Sequence, residues 1–286
     1  MSGHGPDGRS PSVAGLYSPA SGTKRLEGNS PMGVLDGKVA IVTGGGAGLG
    51  RGIAQELAEA GASIAVLEID PDAAGVAAAE IGTGGVEARA YPTDVSVSKQ
   101  VDDVFAAVVN DFGRLDIVVN NAGISRVGPH TQDVTDEDWL DSIAVMQTGV
   151  FYCMRAAGRI MLPQKSGAIV NISSIRGFSP NPGRMSYCAP KAAVIMMTSV
   201  AAGEWAQHGI RVNAIAPGVL RTPMWDADVA RGAIDEQYYI DTVPAHRLGL
   251  PTEVGKLVVF LSSDDASYIT GAVHTIDGAL TSIPAG

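Results

Sequence analysis

A tyrosine and a lysine four residues apart, Tyr187 and Lys191, are the pair in this sequence best suited to acid–base chemistry. On a helix, residues four apart lie on one face, so the phenol and the ammonium would be neighbours. A free tyrosine has a pKa of about 10 and is a poor base near neutral pH. A nearby positive charge favours the phenolate and lowers that pKa. We therefore predict that Tyr187 exchanges a proton with a bound substrate, although many such pairs are only exposed helix surface.

Ser174 strengthens this prediction because of where it falls in the chain. It precedes Tyr187 by thirteen residues and follows a predicted strand at residues 168–172. Open α/β sheets bind their ligands at the carboxyl ends of strands. The Ser174 hydroxyl is therefore predicted to hydrogen-bond the reacting oxygen of the substrate, in preference to the adjacent Ser173. The alternative is a serine that only caps a loop.

A glycine-rich turn lies between an apolar run at residues 39–42 and a helix-forming run at residues 51–59. Strand, turn and helix in this order leave free backbone N–H groups and the positive end of a helix at the turn, where an anionic diphosphate can bind. Glycine is required because a Cβ would hold the phosphates away from the backbone. The spacing G-x-x-x-G-x-G is met by Gly44, Gly48 and Gly50, with Leu49 between the last two. A second register at Gly46, Gly50 and Gly52 fits equally by spacing, but Thr43 directly after the strand favours the first.

Glu68 lies at the end of the second predicted strand, residues 63–67, about eighteen residues beyond Gly50. An acid at this distance typically binds the adenosine ribose hydroxyls of a dinucleotide. It would also repel a 2′-phosphate, so we predict NAD rather than NADP. Asp70 is the nearest competitor for the role, and a solvated acid at a strand end is the structural alternative.

The elements that position these residues alternate regularly along the chain. This alternation predicts right-handed β-α-β crossovers and therefore a single doubly wound α/β domain of Rossmann type, with a parallel seven-stranded sheet covered by helices on both faces. The predicted strands are residues 39–42, 63–67, 86–91, 116–119, 168–172, 211–215 and 273–276. The predicted helices are residues 51–59, 72–81, 97–112, 136–162, 185–207 and 252–261.

Composition restricts the class of function. The net charge of −10 argues against a nucleic-acid partner, because phosphate binding needs clustered Lys and Arg. No apolar run is long enough to span a membrane, and no secretory signal is visible. The two cysteines and five scattered histidines form no metal-ligand spacing, so we predict no metal site. Few cysteines also favour a reducing compartment, and a cytoplasmic location is expected.

Two segments stand apart from the regular alternation. Residues 1–33 are rich in Gly, Ser and Pro and are predicted to be a disordered leader before a domain at residues 34–286. Residues 220–250 are irregular and are predicted to form a lid over the substrate. Met224, Trp225, Tyr238 and Tyr239 would give this lid an apolar lining, with Phe178 as a further wall.

Further motifs follow the predicted strands. Asp94-Val95 follows the third strand, Asn120-Asn121-Ala122-Gly123 follows the fourth, and Asn213 and Pro217-Gly218 occur near the sixth. Together with the glycine turn and with Ser174, Tyr187 and Lys191, these motifs resemble the short-chain dehydrogenase/reductase family over roughly residues 35–278. The resemblance implies NAD(P)-dependent oxidation of an alcohol or reduction of a carbonyl, with a small alcohol or ketone as substrate.

The resemblance also implies residue roles and an assembly. Asp94 would contact the adenine, Lys191 would bind the nicotinamide ribose hydroxyls, and Thr222 would lie near the carboxamide. A homotetramer is expected, because helices 136–162 and 185–207 commonly form a subunit interface in this family. The predicted cofactor-binding residues are Gly44, Gly48, Leu49, Gly50, Glu68, Asp94, Val95, Asn121, Ala122, Gly123, Tyr187, Lys191, Pro217, Gly218 and Thr222.

Two departures from the family pattern leave questions open. Met146 stands where the family usually has an Asn that helps to hold a proton-relaying water, and a thioether cannot donate a hydrogen bond. The adjacent Gln147 could substitute if the helix is locally over- or under-wound. Ala279 replaces the commoner second glycine of a D-G-G motif. The alternative functions are a 3-oxoacyl-carrier-protein reductase and a non-catalytic dinucleotide-binding sensor.

Overall fold

Seven parallel strands form one sheet in the order β3-β2-β1-β4-β5-β6-β7. The structure is a computed structural model that describes residues 33–124, 128–232 and 234–282. The predicted leader at residues 1–33 therefore lies outside the described residues, except for Gly33. The strands are β1 Val39–Thr43, β2 Ser63–Glu68, β3 Ala88–Pro92, β4 Ile117–Asn120, β5 Gly167–Ile172, β6 Ile210–Pro217 and β7 Val273–Ile276.

Helices connect these strands as the sequence predicts. The π-helical segment Ala144–Gly149 separates α4 from α5. Two short helices, α7 and α8, lie in the region predicted to be irregular. The α-helices are α1 Gly48–Glu59, α2 Pro71–Gly82, α3 Ser98–Phe112, α4 Asp136–Ile143, α5 Val150–Gln164, α6 Met185–Trp205, α7 Pro223–Ala230, α8 Glu236–Thr242 and α9 Pro251–Ser262.

Strands β1 and β4 are neighbours at the centre of the sheet, and the chain extends the sheet outward from them in opposite directions: β2 and β3 on one side, β5 to β7 on the other. Val42 of β1 pairs with Val66 of β2 on one side and with Val119 of β4 on the other. Ligands of doubly wound sheets bind at such a switch point, outside the carboxyl ends of the strands. Every strand runs in the same direction, so the segments that follow β1, β4, β5 and β6 all emerge at this one edge.

Each face of the sheet is covered by its own apolar core. Val118 packs with buried residues of α3, α5 and α6, whereas the next residue, Val119, packs with buried residues of α1, α2 and α9. Side chains alternate across a strand, so a strand buried on both faces reads as a continuous apolar run. The predicted doubly wound fold, with helices on both faces of a parallel sheet, is confirmed. None of the helices in the described residues is long and apolar enough to cross a membrane.

Ala279 adopts a backbone conformation that L-residues avoid. Its φ is 70°, and it directly follows Gly278 at φ 62°. The Asp277 carboxylate holds this turn, because it accepts hydrogen bonds from the backbone N–H of Ala279 at 2.9 Å and of Thr281 at 2.8 Å. The second departure from the family pattern therefore places a Cβ in a left-handed position that glycine adopts without strain.

We predict that Ala279→Gly raises the free energy of unfolding by about 1 kcal/mol, because it removes this strain. Chemical denaturation of the two proteins measures the difference. Ala79→Gly, at an exposed position inside α2, is the matched control and should lower stability by about 0.5–1 kcal/mol. If Ala279→Gly lowered the free energy of unfolding, as the control does, the backbone at Ala279 would not be strained.

Candidate active site

Two hydrogen bonds join helix α6 to the carboxyl end of strand β5. The Ser173 hydroxyl donates to the backbone carbonyl of Lys191 at 2.8 Å, and the Lys191 ammonium donates to the carbonyl of Ile172 at 2.8 Å. Both side chains are buried. Because the bonds run in opposite directions between the same two segments, they fix the position of the helix against the strand. Tyr187, one turn earlier on α6, is held by the same contact.

Lys191 carries a buried positive charge. Only 5% of the residue is exposed, and among the described residues no carboxylate forms an ion pair with it. Burial lowers the pKa of its ammonium from 10.5 to about 8. Its Nζ lies 5.8 Å from the centre of the Tyr187 ring, on the same helix face. The predicted proximity of the phenol and the ammonium is therefore present in the structure.

The Tyr187 phenol is under opposing influences. Burial raises its pKa, while the hydroxyl of Ser174 and the charges of Arg184 and Arg176 act in the opposite direction. Lys191 was expected to lower this pKa, but it is not among the main groups that shift it, and burial lowers the pKa of Lys191 itself to about 8. The hydroxyl of Ser174 and the two arginines are therefore the groups that favour the phenolate.

Ser174 and Ser173 differ in what their hydroxyls contact. Ser173 is committed to the Lys191 carbonyl, as described above. Ser174 is 7% exposed and caps the short 3₁₀ helix Ile175–Gly177, where its Oγ accepts a hydrogen bond from the backbone N–H of Arg176 at 3.1 Å. An oxygen that accepts this bond can still donate its own proton. Ser174 therefore remains able to donate to a substrate oxygen beside the phenol.

The glycine turn fits the diphosphate of a nicotinamide dinucleotide. The first turn of α1 has neither a side-chain cap nor an acidic residue. A Cβ built on Gly48 would meet no described atom within 4 Å, so there is space in front of this helix end. Gly44 has φ 62°, and a Cβ on Gly50 would lie 2.0 Å from the Gly44 carbonyl oxygen. Leu49 lies in the same turn and packs against the core beneath it.

Glu68 lies beside this turn at the end of β2. Its carboxylate accepts hydrogen bonds from the backbone N–H of Gly46 at 3.2 Å and of Ile69 at 2.9 Å. The competing acid, Asp70, instead caps α2 by accepting from the backbone N–H of Asp72 at 2.9 Å and of Ala73 at 3.3 Å. Of the two carboxylates, only that of Glu68 contacts the glycine turn.

The segment after β4 braces the glycine turn from the other side. The Thr43 hydroxyl accepts hydrogen bonds from the backbone N–H of Asn121 at 2.9 Å and of Ala122 at 3.0 Å. The Asn121 amide donates to the carbonyls of Thr43 at 3.0 Å and of Gly44 at 3.2 Å. Asn121 therefore fixes the backbone of the turn, a role that also positions any phosphate bound there.

The other predicted cofactor residues lie along the same edge and make mainly structural contacts. The Asp94 carboxylate accepts from the backbone N–H of Ser96 at 2.9 Å, and Val95 is buried. The backbone N–H of Gly218, after Pro217, donates to the carbonyl of Ile276 at 2.9 Å. Thr222 caps α7 through a hydrogen bond from the Trp225 N–H at 3.2 Å. Within the described residues, no group of three or more His, Cys, Asp or Glu could hold a metal ion.

Met146 lies in the π-helical segment and is buried, with 1% of its surface exposed. A Cβ built on Gly123 would lie 3.6 Å from its Cγ and 3.7 Å from its sulfur, so the side chain packs beside this loop. Because a π-helical segment is under-wound relative to an α-helix, the structure meets the condition under which Gln147 could replace the missing Asn. Among the described residues, however, the Gln147 side chain has no hydrogen-bond partner. Such π segments often occur at functional sites.

The predicted lid contains an aromatic and ionic cluster. The rings of Trp225 and Tyr239 pack edge to face with centres 5.0 Å apart. Glu236 accepts a hydrogen bond from the Trp225 indole at 3.1 Å and forms an ion pair with Arg221. Tyr238 is 64% exposed. Phe178 is also exposed, and the side chain of Met224 lies outside the described structure. The contacts of Trp225 and Tyr239 therefore join α7 to α8, so these two rings pack against protein groups in addition to any role in lining a substrate site.

Sequence reasoning missed three contributors to this arrangement. Thr43 was used only to choose a register, yet its hydroxyl joins two strand ends. Ser173 was set aside, yet its hydroxyl bonds to the backbone of α6, the helix that carries Tyr187 and Lys191. Arg184 was overlooked, although its position three residues before Tyr187 at the start of the same helix could have indicated an electrostatic effect on the phenol.

Known proteins are similar to this chain over most of its length. Residues 44–281 match the family model described as enoyl-(acyl carrier protein) reductase. Galactitol 2-dehydrogenase of Rhizobium johnstonii is 43% identical over 86% of this chain and 96% of its own length. The 3-oxoacyl-[acyl-carrier-protein] reductase of Haemophilus influenzae is 37% identical over 86% of this chain and 99% of its own. A crystal structure of NAD⁺-bound xylitol dehydrogenase superimposes with a TM-score of 0.81 at 36% identity, covering 85% of this chain and 99% of that one.

Burial of Lys191 predicts a pH-dependent stability. Between pH 8 and 10.5 the ammonium is deprotonated in the folded protein but still protonated in the unfolded chain, so stability should rise with pH across this window. From pH 8 to pH 10.5, the free energy of unfolding of the wild type should therefore increase by up to about 3 kcal/mol more than that of Lys191→Met.

Denaturation of both proteins at pH 8 and at pH 10.5 measures this difference. Lys99→Met, which removes an ammonium that is 81% exposed on α3, tests whether the trend belongs to burial. If the free energy of unfolding changed equally with pH in the wild type and in Lys191→Met, burial would not be lowering the pKa of Lys191.

Proposed function

The chain belongs to the short-chain dehydrogenase/reductase family of oxidoreductases, and from this premise we propose that it is an NAD-dependent dehydrogenase of secondary alcohols. The substrate is a small molecule with a CH–OH group, and the product is the corresponding ketone. The reverse reaction reduces the ketone. The catalytic residues are Ser174, Tyr187 and Lys191.

One observation carries this proposal. Tyr187 and Lys191 lie on one face of α6, with the Lys191 nitrogen 5.8 Å from the phenol ring, next to Ser174 at the carboxyl end of β5. The glycine turn and Glu68 lie at the same edge of the sheet. An acid–base group and a dinucleotide-binding turn at one edge are what hydride transfer from an alcohol requires.

The chain's own residues handle the proton. The substrate hydroxyl donates to the Tyr187 phenolate oxygen, and its O–H bond breaks as the C–O bond becomes a carbonyl. The hydride leaves the same carbinol carbon, so the alcohol loses two electrons and two hydrogens. When bound, the nicotinamide ring supplies the acceptor for that hydride. Ser174 donates a hydrogen bond to the reacting oxygen and fixes its position.

Lys191 has two further tasks in this proposal. By family resemblance, its ammonium binds the ribose hydroxyls of the cofactor. The geometry supports this because the Ile172 carbonyl uses one of its three N–H donors, and the described residues take no other. Met146 cannot hold a relay water by its side chain, so the proton leaves Tyr187 through Lys191 without help from that position.

Polyols are the substrates that the relatives favour. Galactitol 2-dehydrogenase and xylitol dehydrogenase are named for sugar alcohols, and each resembles nearly the whole folded part of this chain. The 3-oxoacyl-[acyl-carrier-protein] reductase resemblance supports the second candidate. Glu68 beside Gly46 and the absence of a basic residue at Ala47 favour the first, because such reductases usually use NADPH. A sensor would not need Tyr187, Lys191 and Ser174 brought together.

Assembly and location remain predictions. We expect the homotetramer that the family commonly forms, and exposed apolar side chains on α5 and α6 support it. Phe151 is 47%, Met196 65% and Val200 53% exposed, which is unusual for solvent-facing helices. Val194 of the same helix is instead buried in the core. A cytoplasmic location is expected from the low number of cysteines.

Tyr187→Phe tests the catalytic assignment. The variant keeps the ring and removes the hydroxyl, so binding of NAD should persist while turnover of xylitol or galactitol falls about 10² to 10⁴-fold. NAD reduction followed by absorbance measures turnover, and fluorescence titration measures binding. Tyr268→Phe removes a fully exposed hydroxyl and is the control. Undiminished turnover in Tyr187→Phe would make the sensor the better hypothesis.

Glu68→Gln tests the cofactor assignment. The wild type should have a higher kcat/KM with NAD than with NADP, and the variant should narrow the ratio, because the repulsion of a 2′-phosphate is lost. Asp70→Asn is the matched control, since asparagine also caps helices and should leave the ratio unchanged. A wild-type preference for NADP, or a larger change in the control, would reverse the assignment.

A further inference from the structure

Two arginines at the catalytic edge have no acidic partner. Arg176 lies two residues after Ser174, and its guanidinium donates to the backbone carbonyl of Ser179 at 3.3 Å. Arg184 lies three residues before Tyr187, and its own carbonyl accepts from the N–H groups of Tyr187 at 3.1 Å and Cys188 at 2.8 Å. Among the described residues, neither guanidinium forms an ion pair. The charges of both guanidiniums act to lower the pKa of the Tyr187 phenol.

This is unusual within the molecule. The protein has a net charge of −10, so carboxylates are plentiful. Every other described arginine forms an ion pair with a carboxylate, except Arg211, which donates to the carbonyls of Leu261 and Ser263. Near Tyr187, two guanidinium charges therefore lack the neutralising carboxylate that most other described arginines have, which favours an anion there.

The position of Arg184 adds to this field. It is the N-cap residue of α6, its side chain makes no capping hydrogen bond, and the first turn of this 21-residue helix has no acidic residue. A cation at the positive end of a helix is unfavourable. A bound anion would remove that cost and would meet a guanidinium whose paired N–H groups match carboxylate and phosphate oxygens.

We propose that Arg176 and Arg184 bind an anionic group of the substrate, so that the alcohol oxidised here is a hydroxy acid or a phosphorylated polyol. This inference rests on the proposed dehydrogenase function and specifies its substrate class. In this proposal the anionic group contacts the two guanidiniums, and the reacting hydroxyl contacts Tyr187 and Ser174. Discrimination between charged and neutral alcohols is thereby assigned to these two residues.

Three probes that share one six-carbon backbone test this inference. Glucitol is neutral, gluconate carries a carboxylate in place of one terminal CH₂OH, and glucitol 6-phosphate carries a phosphate. We measure kcat/KM with NAD for each probe in the wild type and in Arg176→Gln, Arg184→Gln and Arg184→Lys. The wild type should prefer one of the two anions over glucitol by tenfold or more, and the preferred anion identifies the carboxylate or the phosphate as the group recognised.

The ratio of anion to glucitol is the decisive readout. Each glutamine variant should reduce it about tenfold or more, the magnitude expected for a charge-assisted hydrogen bond, and Arg184→Lys should recover part of it. A change in the pKa of Tyr187 affects both probes alike and cancels in the ratio. Arg89→Gln, at an exposed arginine on β3 paired with Glu87, is the control. The wild-type preference should also weaken with added salt.

The outcomes separate this inference from the proposed function. Turnover of glucitol that equals or exceeds that of both anions would overturn the anion site and leave the dehydrogenase intact. A preference for an anion that survives both glutamine variants would also overturn it. No reduction of NAD by any of the three probes or by xylitol and galactitol would contradict the dehydrogenase itself.

Discussion

Two opposed hydrogen bonds between helix α6 and strand β5 are the contact on which the active site depends. Ser173 donates to the Lys191 carbonyl while the Lys191 ammonium donates to the Ile172 carbonyl. The end of β5 belongs to a sheet that is buried on both faces. The two hydrogen bonds therefore hold the helix that bears Tyr187 against a rigid part of the structure. Ser174 follows in the same strand connection. One local contact, rather than flexible loops, thus holds the three groups to which we assign catalysis: the Tyr187 phenol, the Lys191 ammonium and the Ser174 hydroxyl.

That contact has a thermodynamic cost, because Lys191 is buried without a compensating carboxylate. A paired carboxylate would stabilise the ammonium but would also hold its proton and occupy its donors. Without a paired carboxylate, burial lowers the pKa of the Lys191 ammonium to about 8, and its remaining N–H groups stay available for a ligand. Replacing Lys191 by an apolar residue would remove this cost together with the roles that we propose for it, as is common where stability and activity conflict.

The sequence was sufficient for the fold because strongly apolar strands alternated with helical runs, and the predicted strands agree with the observed ones to within two residues. Glycines and acids at strand ends indicated the dinucleotide turn. Three features could not be predicted, because each depends on contacts distant in the chain. They are the packing of Met146 beside Gly123, the joining of α7 to α8 through the contacts of Glu236 with Arg221 and Trp225, and the reduced pKa of Lys191, which depends on its burial.

The central claim is that hydrogen leaves the carbinol carbon as a hydride while the hydroxyl proton goes to Tyr187. The most direct test uses xylitol that carries deuterium on its secondary carbinol carbons, oxidised by the wild type with NAD in ordinary water. The account predicts that the NADH formed carries one deuterium by mass spectrometry and that turnover is slower than with unlabelled xylitol. NADH without the label, with the deuterium released to solvent, would contradict it.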